Sequence, residues 1–360
     1  MALTLHVDGD RWRAHLKSVL SSHPSIVPVA KGNGYGFGVP RLARKAAWLG
    51  VDLMAVGTYD EVEEAASRFH GSVMVLTPWR RFEHPMVFHQ NVVHTVGRLE
   101  DLVLLAARDD RPRVVLERMT SMRRHGFTAR ELRQAGGLIS TKARPGVKGG
   151  GLIRGAGVAV EGVALHLPMA HGSHLPEVER LMTDIVAAGL PTNRVFISHL
   201  TDAELASVQS AYPEFEFRPR IGTQLWLGDR GALSVKATIL DCHPVERGDL
   251  FGYRGRTAPR SGTILVVSGG TAHGIGLEAP ASGVSLKQRA ATIARGGLDA
   301  AGFVRSPYTI DGKQRLFAEP PHMQASMLFL PHGAHVPEVG DEVDVRVRFT
   351  ATTFDQTVIS

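Results

Sequence analysis

A chain of 360 residues, 43% of them hydrophobic, can bury a large core and is long enough for two domains. Its 41 Lys and Arg against 35 Asp and Glu leave a formal charge of +6 spread along the chain. That spread argues against nucleic-acid binding, where basic residues cluster on one face, and the single cysteine, Cys242, excludes an intrachain disulfide and a cysteine-based zinc site, so no metal is expected.

Residues 1–12 alternate polar and apolar side chains, and no later run approaches the length of a membrane span. A soluble cytoplasmic protein without membrane contact is expected. Strands are predicted over 26–30, 51–56, 72–76, 92–96, 113–117, 160–167, 194–197 and 216–220, with helices over 40–49, 59–68, 100–107, 175–188 and 202–211. Repeated β-α units with eight countable strands predict an α/β fold in which residues 1–228 close as a TIM-type (β/α)8 barrel. After Gly228 the runs 237–241, 262–268, 314–318, 326–330 and 342–350 are strand-like and separated by Gly, Pro and Asp, which predicts a C-terminal all-β domain over 229–360.

In such a barrel the chemistry gathers at the C-terminal ends of the strands. Ile26-Val27-Pro28-Val29-Ala30 is apolar, ends on Lys31 and opens into glycines and Tyr35. An amine there, beside backbone that glycine lets approach a ligand, suits a covalent lysine next to an anion-binding turn; a surface lysine after a buried strand reads the same way. Arg124, in a basic turn, is either an anion ligand or a solvated arginine. His166, flanked by apolar residues, is either functional or a core histidine. Ser198 and Thr201 precede helix 202–211 and suit either a phosphate or an ordinary helix cap.

Taken in order, these segments resemble the cofactor motifs of the alanine racemase family, which are fold-type III pyridoxal-phosphate enzymes. Ala30-Lys31-Gly32-Asn33-Gly34-Tyr35-Gly36-Phe37-Gly38 is similar to the family's lysine motif Ala-Lys-x-Asn-x-Tyr-Gly-x-Gly. Thr120-Ser121-Met122-Arg123-Arg124-His125-Gly126 resembles Thr-Gly-Met-x-Arg-x-Gly, and Val163-Ala164-Leu165-His166-Leu167 resembles the strand whose histidine packs on the pyridine ring. Arg220-Ile221-Gly222-Thr223-Gln224-Leu225-Trp226 is close to Arg-Pro-Gly-Ile-x-Leu-Tyr. The resemblance implies pyridoxal 5'-phosphate held covalently by Lys31. It implies Arg124 on the phenolic oxygen and near the substrate, His166 on the ring and Arg220 on the ring nitrogen. Tyr35, Ser198 or Thr201 and the amides of Gly222 and Thr223 would hold the phosphate, while Trp226 reads as core packing.

The second domain carries the resemblance further. Gly248-Asp249-Leu250-Phe251-Gly252-Tyr253 resembles Gly-Glu-x-Val-x-Tyr, and His322-Met323-Gln324-Ala325-Ser326-Met327 resembles Cys-Met-Asp-Gln-x-Met. By this resemblance the main-chain amide of Met323 binds the substrate carboxylate, and the chain forms a head-to-tail homodimer in which each β-domain completes the partner's active site.

Three departures bear on activity. Gly270-Thr271-Ala272-His273-Gly274 stands where the family has Gly-Tyr-Ala-Asp-Gly, whose tyrosine is the second catalytic base. Thr271 cannot act as a base near neutral pH, and His273 is the nearest replacement. Glu117 aligns with the family's carbamylated lysine and supplies directly the carboxylate that orients Arg124. The stretch 276–302 is longer than expected and includes a helix-like run, 286–297. The expected function is a racemase or epimerase acting on alanine or another amino acid, with Lys31 exchanging the α-proton on one face. The alternatives are a pyridoxal-phosphate decarboxylase of the same architecture and a non-catalytic cofactor-binding relative.

Overall fold

The computed structural model describes residues 2–82, 90–142, 157–169, 172–277 and 304–360. Apart from its first two residues the stretch 276–302, with its helix-like run 286–297, lies outside the described residues. The chain divides into two compact units, one formed by Leu16–Gly32 and Gly38–Trp226, the other by Met1–His15, Asn33–Phe37 and Leu227–Ser360.

The first unit contains all eight expected strands: Val27–Pro28, Leu53–Val56, Ser72–Val75, Val92–Val96, Arg113–Arg118, Ala159–His166, Arg194–Ser198 and Glu216–Ile221. Each pairs in parallel with its chain neighbour from Leu53–Val56 to Glu216–Ile221, and the last pairs with Val27–Pro28. A parallel bridge between Val29 and Ala55, with the Ala30 N–H donating to the Ala55 carbonyl at 2.8 Å, joins the first strand to the second and closes the ring. The first strand, Val27–Pro28, is shorter than the expected 26–30, although the Val29 N–H beyond it still donates to the Ile221 carbonyl at 2.9 Å.

Side chains alternate between two layers, as the period of a strand demands. Val27, Val29, Leu53, Ala55, Met74, Val93, Val115, Ala164 and Phe196 pack together inside the barrel. Val114, Leu116, Val163, Leu165, Val195 and Ile197 point the other way and pack under the helices. The expected helices appear as Val39–Leu49, Glu61–Ala66, Leu99–Ala106, Leu175–Ala188 and Asp202–Ala211. Three further helices among the described residues, Gly9–Ser22, Ala129–Lys142 and the short Thr223–Leu227, were not expected. The second carries Gly136 and Gly137, which propensity counts against a helix. Gly136 is required there, because a Cβ would run into the carbonyl of Ala188 at the end of the neighbouring helix.

The second unit is an antiparallel sheet with the order Gly262–Ser268, Ala325–Pro331, Lys313–Phe317, Arg305–Ile310, Glu342–Val345, Leu233–Val245, Leu3–Val7 and Gln356–Ile359. Gly262–Ser268 pairs also with Leu233–Val245, and Leu3–Val7 is parallel only to Gln356–Ile359. The alternation of residues 1–12 is thus that of a strand followed by a helix start. The expected strand 342–350 stops at Val345; the Phe349 and Thr352 carbonyls beyond it accept from Asn33 Nδ2 at 2.8 and 2.6 Å. Among the described residues no helix is long and apolar enough to cross a membrane.

His94 offers a test of the barrel's energetics. It is buried, with the Tyr59 hydroxyl 3.0 Å from Nδ1, and desolvation followed by the nearby Arg108 pushes its pKa down to about 4 from an ordinary 6.5. Below pH 6.5 the unfolded chain takes up a proton that the folded chain refuses until about pH 4, so stability present above 6.5 is lost as the pH falls through this window. Urea unfolding of the wild type and of His94→Phe should show the variant losing stability less steeply between these limits, by up to about 1.4 kcal/mol per pH unit. Parallel slopes would show that His94 does not carry this acid sensitivity.

Candidate active site

The alternation that fills the barrel also builds its mouth. Two residues beyond the inward-facing Val29, Val115, Ala164 and Phe196 stand Lys31, Glu117, His166 and Ser198, so the strand period turns all four toward the axis at the C-terminal ends. Arg220 joins them, because Phe217 packs outward and Arg218 and Arg220 therefore face in. Arg218 sits at the other end of the same strand, where it pairs with Asp52. Five expected site residues thus come together in one unit.

The mouth is strongly cationic. Lys31 is exposed, and its pKa is lowered by desolvation and then by Arg124 and Arg220, with Glu61 pulling the other way. Arg220 is buried; its Nη2 donates to the Leu165 carbonyl at 3.2 Å, and its Nε has no partner among the described residues. His166 is pushed down to about 3 by burial, Arg220, Arg124, His199 and Lys31, which keeps its ring neutral. Glu117 is the carboxylate beneath these cations. Burial raises its pKa, and Arg220 and Arg124 oppose that rise.

Arg124 is exposed at the end of a turn in which the Arg123 N–H donates to the Thr120 carbonyl at 3.0 Å and Thr120 Oγ1 donates to the His166 carbonyl at 2.7 Å. Gly126, at φ +127°, lets this turn press against the backbone of Arg118 and Met119, where a Cβ would not fit. Thr201 is committed elsewhere: its hydroxyl accepts from the Glu204 N–H at 3.2 Å while Glu204 takes the Thr201 N–H at 2.9 Å, a capping box on helix Asp202–Ala211. Gly222 and Thr223 head the short helix Thr223–Leu227, whose first-turn amides have no intrahelical partner. Trp226 is fully buried and donates from Nε1 to the Val29 carbonyl at 2.7 Å, a core role as expected.

Two residues at this mouth escaped the sequence reading. Glu61 accepts from the Gly32 and Gly57 amides at 2.7 and 2.6 Å and so fixes the backbone after Lys31. An acid at the start of the helix after the second strand was the available signal. His199 sits in the left-handed region at φ +68°, its ring edge-on to His166 with centroids 5.1 Å apart.

The remaining expected residues belong to the other unit. Tyr35 is buried there at φ +55° in a short turn. Thr271 and Met323 lie on two loops joined by backbone hydrogen bonds, Thr271 N–H to the His322 carbonyl at 2.8 Å and Ala272 N–H to the Met323 carbonyl at 2.9 Å. The amide of Met323 itself donates to nothing among the described residues, and its side chain is exposed. His273 was expected as the nearest replacement for the missing base. It is buried, the Gly270 N–H donates to its Nδ1 at 3.2 Å, and its Nε2 lies 3.1 Å from Asp355 Oδ1. With Nδ1 accepting, the proton sits on Nε2 and goes to the carboxylate, so both ring nitrogens are occupied.

The profile of the alanine racemase N-terminal domain matches residues 7–191, more than half of the chain. The chain belongs to the alanine racemase family. Among solved structures of similar fold, alanine racemase from Bartonella henselae, which carries covalently bound pyridoxal phosphate, is 16% identical with a TM-score of 0.66 over 96% of this chain and 91% of that one. Histidine racemase from Leuconostoc mesenteroides is 17% identical with a TM-score of 0.64 over 99% and 90%. Biosynthetic alanine racemase from Pseudomonas aeruginosa is 21% identical with a TM-score of 0.63 over 97% and 91%. No curated protein matches in sequence. The fold is therefore of the racemase type, a parallel barrel with a C-terminal all-β domain.

The geometry of His273 predicts a structural effect. His273→Ala removes a buried ring together with its bonds to Gly270 and Asp355, which costs about 2–4 kcal/mol in thermal unfolding and affects both enantiomers of any substrate equally. Selective loss of α-proton exchange from one enantiomer, at unchanged stability, would instead make His273 a base.

Proposed function

We propose that this protein is a pyridoxal-phosphate-dependent amino-acid racemase, working as a homodimer on alanine or another amino acid. The observation that carries this reading is the buried Nε of Arg220, which lacks a partner among the described residues and stands at the same barrel mouth as Lys31. An orphaned guanidinium N–H of this kind fits a pyridine nitrogen as acceptor, and the surrounding cations fit a phosphate and a phenolate.

When bound, pyridoxal phosphate acidifies the α-proton of an attached amino acid by drawing electrons from its α-carbon. The protein's residues supply the rest. Lys31, whose pKa is lowered in the direction of the neutral amine, would hold the cofactor covalently and afterwards move a proton at its Nζ. Arg220 stays charged and donates from Nε, which keeps the ring nitrogen unprotonated and favours racemisation over transamination. His166 packs its neutral ring on the cofactor, Arg124 binds the phenolic oxygen with Glu117 beneath it, and Ser198, Tyr35 and the amides of Gly222 and Thr223 hold the phosphate. The Thr201 hydroxyl is engaged in the cap of its helix and leaves the phosphate to the other groups. The Met323 amide binds the substrate carboxylate in a second copy of the chain.

One observation favours a second reading: Thr271 lacks an acid-base group and His273 is fully bonded, as in a relative that binds the cofactor without turning over substrate. Solvent-deuterium exchange at the α-carbon across the twenty amino acids separates these two and the decarboxylase. A racemase exchanges with inversion, a decarboxylase releases carbon dioxide, and a binder does neither.

Lys31→Ala should lose the borohydride-reducible cofactor adduct that the wild type forms; a covalent adduct retained in the variant would remove Lys31 from its role. Glu117→Gln, which removes a buried negative charge near Arg220 and Arg124, should weaken cofactor binding about tenfold in an absorbance titration, and wild-type activity should be indifferent to dissolved carbon dioxide. Unchanged affinity would make Glu117 an ordinary buried strand-end carboxylate.

A further inference from the structure

We propose that His322, oriented by Glu319, is the second acid-base group of this enzyme, in the role that Thr271 cannot fill. The inference rests on the racemase reading above. His322 Nε2 lies 2.6 Å from Glu319 Oε1, and Glu319 is almost fully buried, with 2% of its side chain exposed. The same carboxylate accepts the Tyr253 amide at 3.0 Å. Burial alone would raise the Glu319 pKa, but the amides of Tyr253 and Arg254 and the imidazole outweigh it and hold the carboxylate below its usual range. Glu319 is thus a fixed, ionised acceptor. It commits Nε2 as the donor and leaves Nδ1, which has no partner among the described residues, as the nitrogen that can take a proton.

Position distinguishes this imidazole from the others in the unit. Its main chain is knitted to the loop of the missing tyrosine through the bond from Thr271 N–H to the His322 carbonyl, and His322 N–H donates in turn to the Ala325 carbonyl at 2.9 Å. It precedes Met323, the residue proposed to meet the substrate carboxylate. Its side chain is 44% exposed, and the exposed Tyr253 ring stands edge-on to it with centroids 6.4 Å apart. His273, by contrast, has both nitrogens occupied. A histidine pinned by a buried carboxylate is the arrangement in which an imidazole accepts a proton at the free nitrogen while the carboxylate stabilises the resulting cation. In one direction Nδ1 of His322, contributed like Met323 by the second copy of the chain, takes the α-proton and the Lys31 amine in its protonated form delivers one. In the other direction the roles exchange. One proton leaves carbon and one returns, so no oxidant or reductant is needed.

The test uses the full-length holoenzyme and its substrate from the amino-acid screen. His322→Ala alters an exposed side chain and should leave the borohydride-reducible adduct on Lys31 intact. It should slow α-proton exchange from one enantiomer by about a hundred- to ten-thousand-fold while the other enantiomer still exchanges through Lys31. Added imidazole should restore part of the lost exchange in His322→Ala, and Glu319→Gln should lower the same enantiomer's rate without losing the adduct. Exchange that is undiminished, or lost equally from both enantiomers with no rescue by imidazole, overturns the role of His322 and leaves the cofactor reading standing. Absence of the adduct, or of exchange with any amino acid, in the wild type overturns the racemase reading and this inference together.

Discussion

The barrel unit depends on closure of a parallel sheet whose side chains alternate strictly in and out. The bridge between Val29 and Ala55 completes the ring, and once it is complete every second residue of each strand must point to the axis. Small and branched residues occupy the axis through most of the barrel. At the C-terminal end the same parity brings in Lys31, Glu117, His166, Ser198 and Arg220. The register that packs the core also aims the site, with Glu61 fixing the backbone after Lys31. A one-residue slip in any of these strands would turn its functional side chain into the helical layer.

Putting that many polar groups at a barrel mouth creates an electrostatic problem, and the residues divide it between them. Lys31, Arg124 and Arg220 repel one another and depress the lysine, while Glu117 sits buried among them as a partial counter-charge. His166 answers by remaining neutral. The arginines cannot deprotonate, so the lysine amine and the histidine ring absorb the repulsion. A site poised in this way favours anions. The unpartnered Nε of Arg220 is the residue of strain that the protein's own groups leave unrelieved.

The β unit is organised by hydrogen bonds at its loops. Two carboxylates there are each held by backbone amides and one imidazole: Asp355 by the Leu3 N–H at 2.8 Å and His273, Glu319 by the Tyr253 N–H and His322. The difference between the two pairs lies in the second ring nitrogen. In His273 it is taken by the Gly270 amide and the ring is sealed, whereas in His322 it is free and the ring is half open to solvent. Identical side-chain chemistry thus gives a brace in one place and a reactive group in the other.

Much of this was legible in the sequence. The eight barrel strands follow from apolar runs of strand length between helix-period stretches, and the cluster at the mouth follows from the residues that end those runs, since strand parity is local information. The helix Ala129–Lys142 was not legible, because Gly136 looks like a helix breaker until the neighbouring Ala188 carbonyl explains it. Glu61 and His199 were missed because their importance is a matter of distance from Lys31 and His166. The first strand, Leu3–Val7, pairs with segments more than 200 residues away, a separation that no local pattern encodes. The roles of the histidines were the least legible of all. Sequence placed His273 two residues from the lost tyrosine and His322 some fifty residues away, yet hydrogen bonding decides which of them keeps a nitrogen free, and hydrogen-bond partners are settled only when the tertiary structure brings Asp355 and Glu319 to their rings.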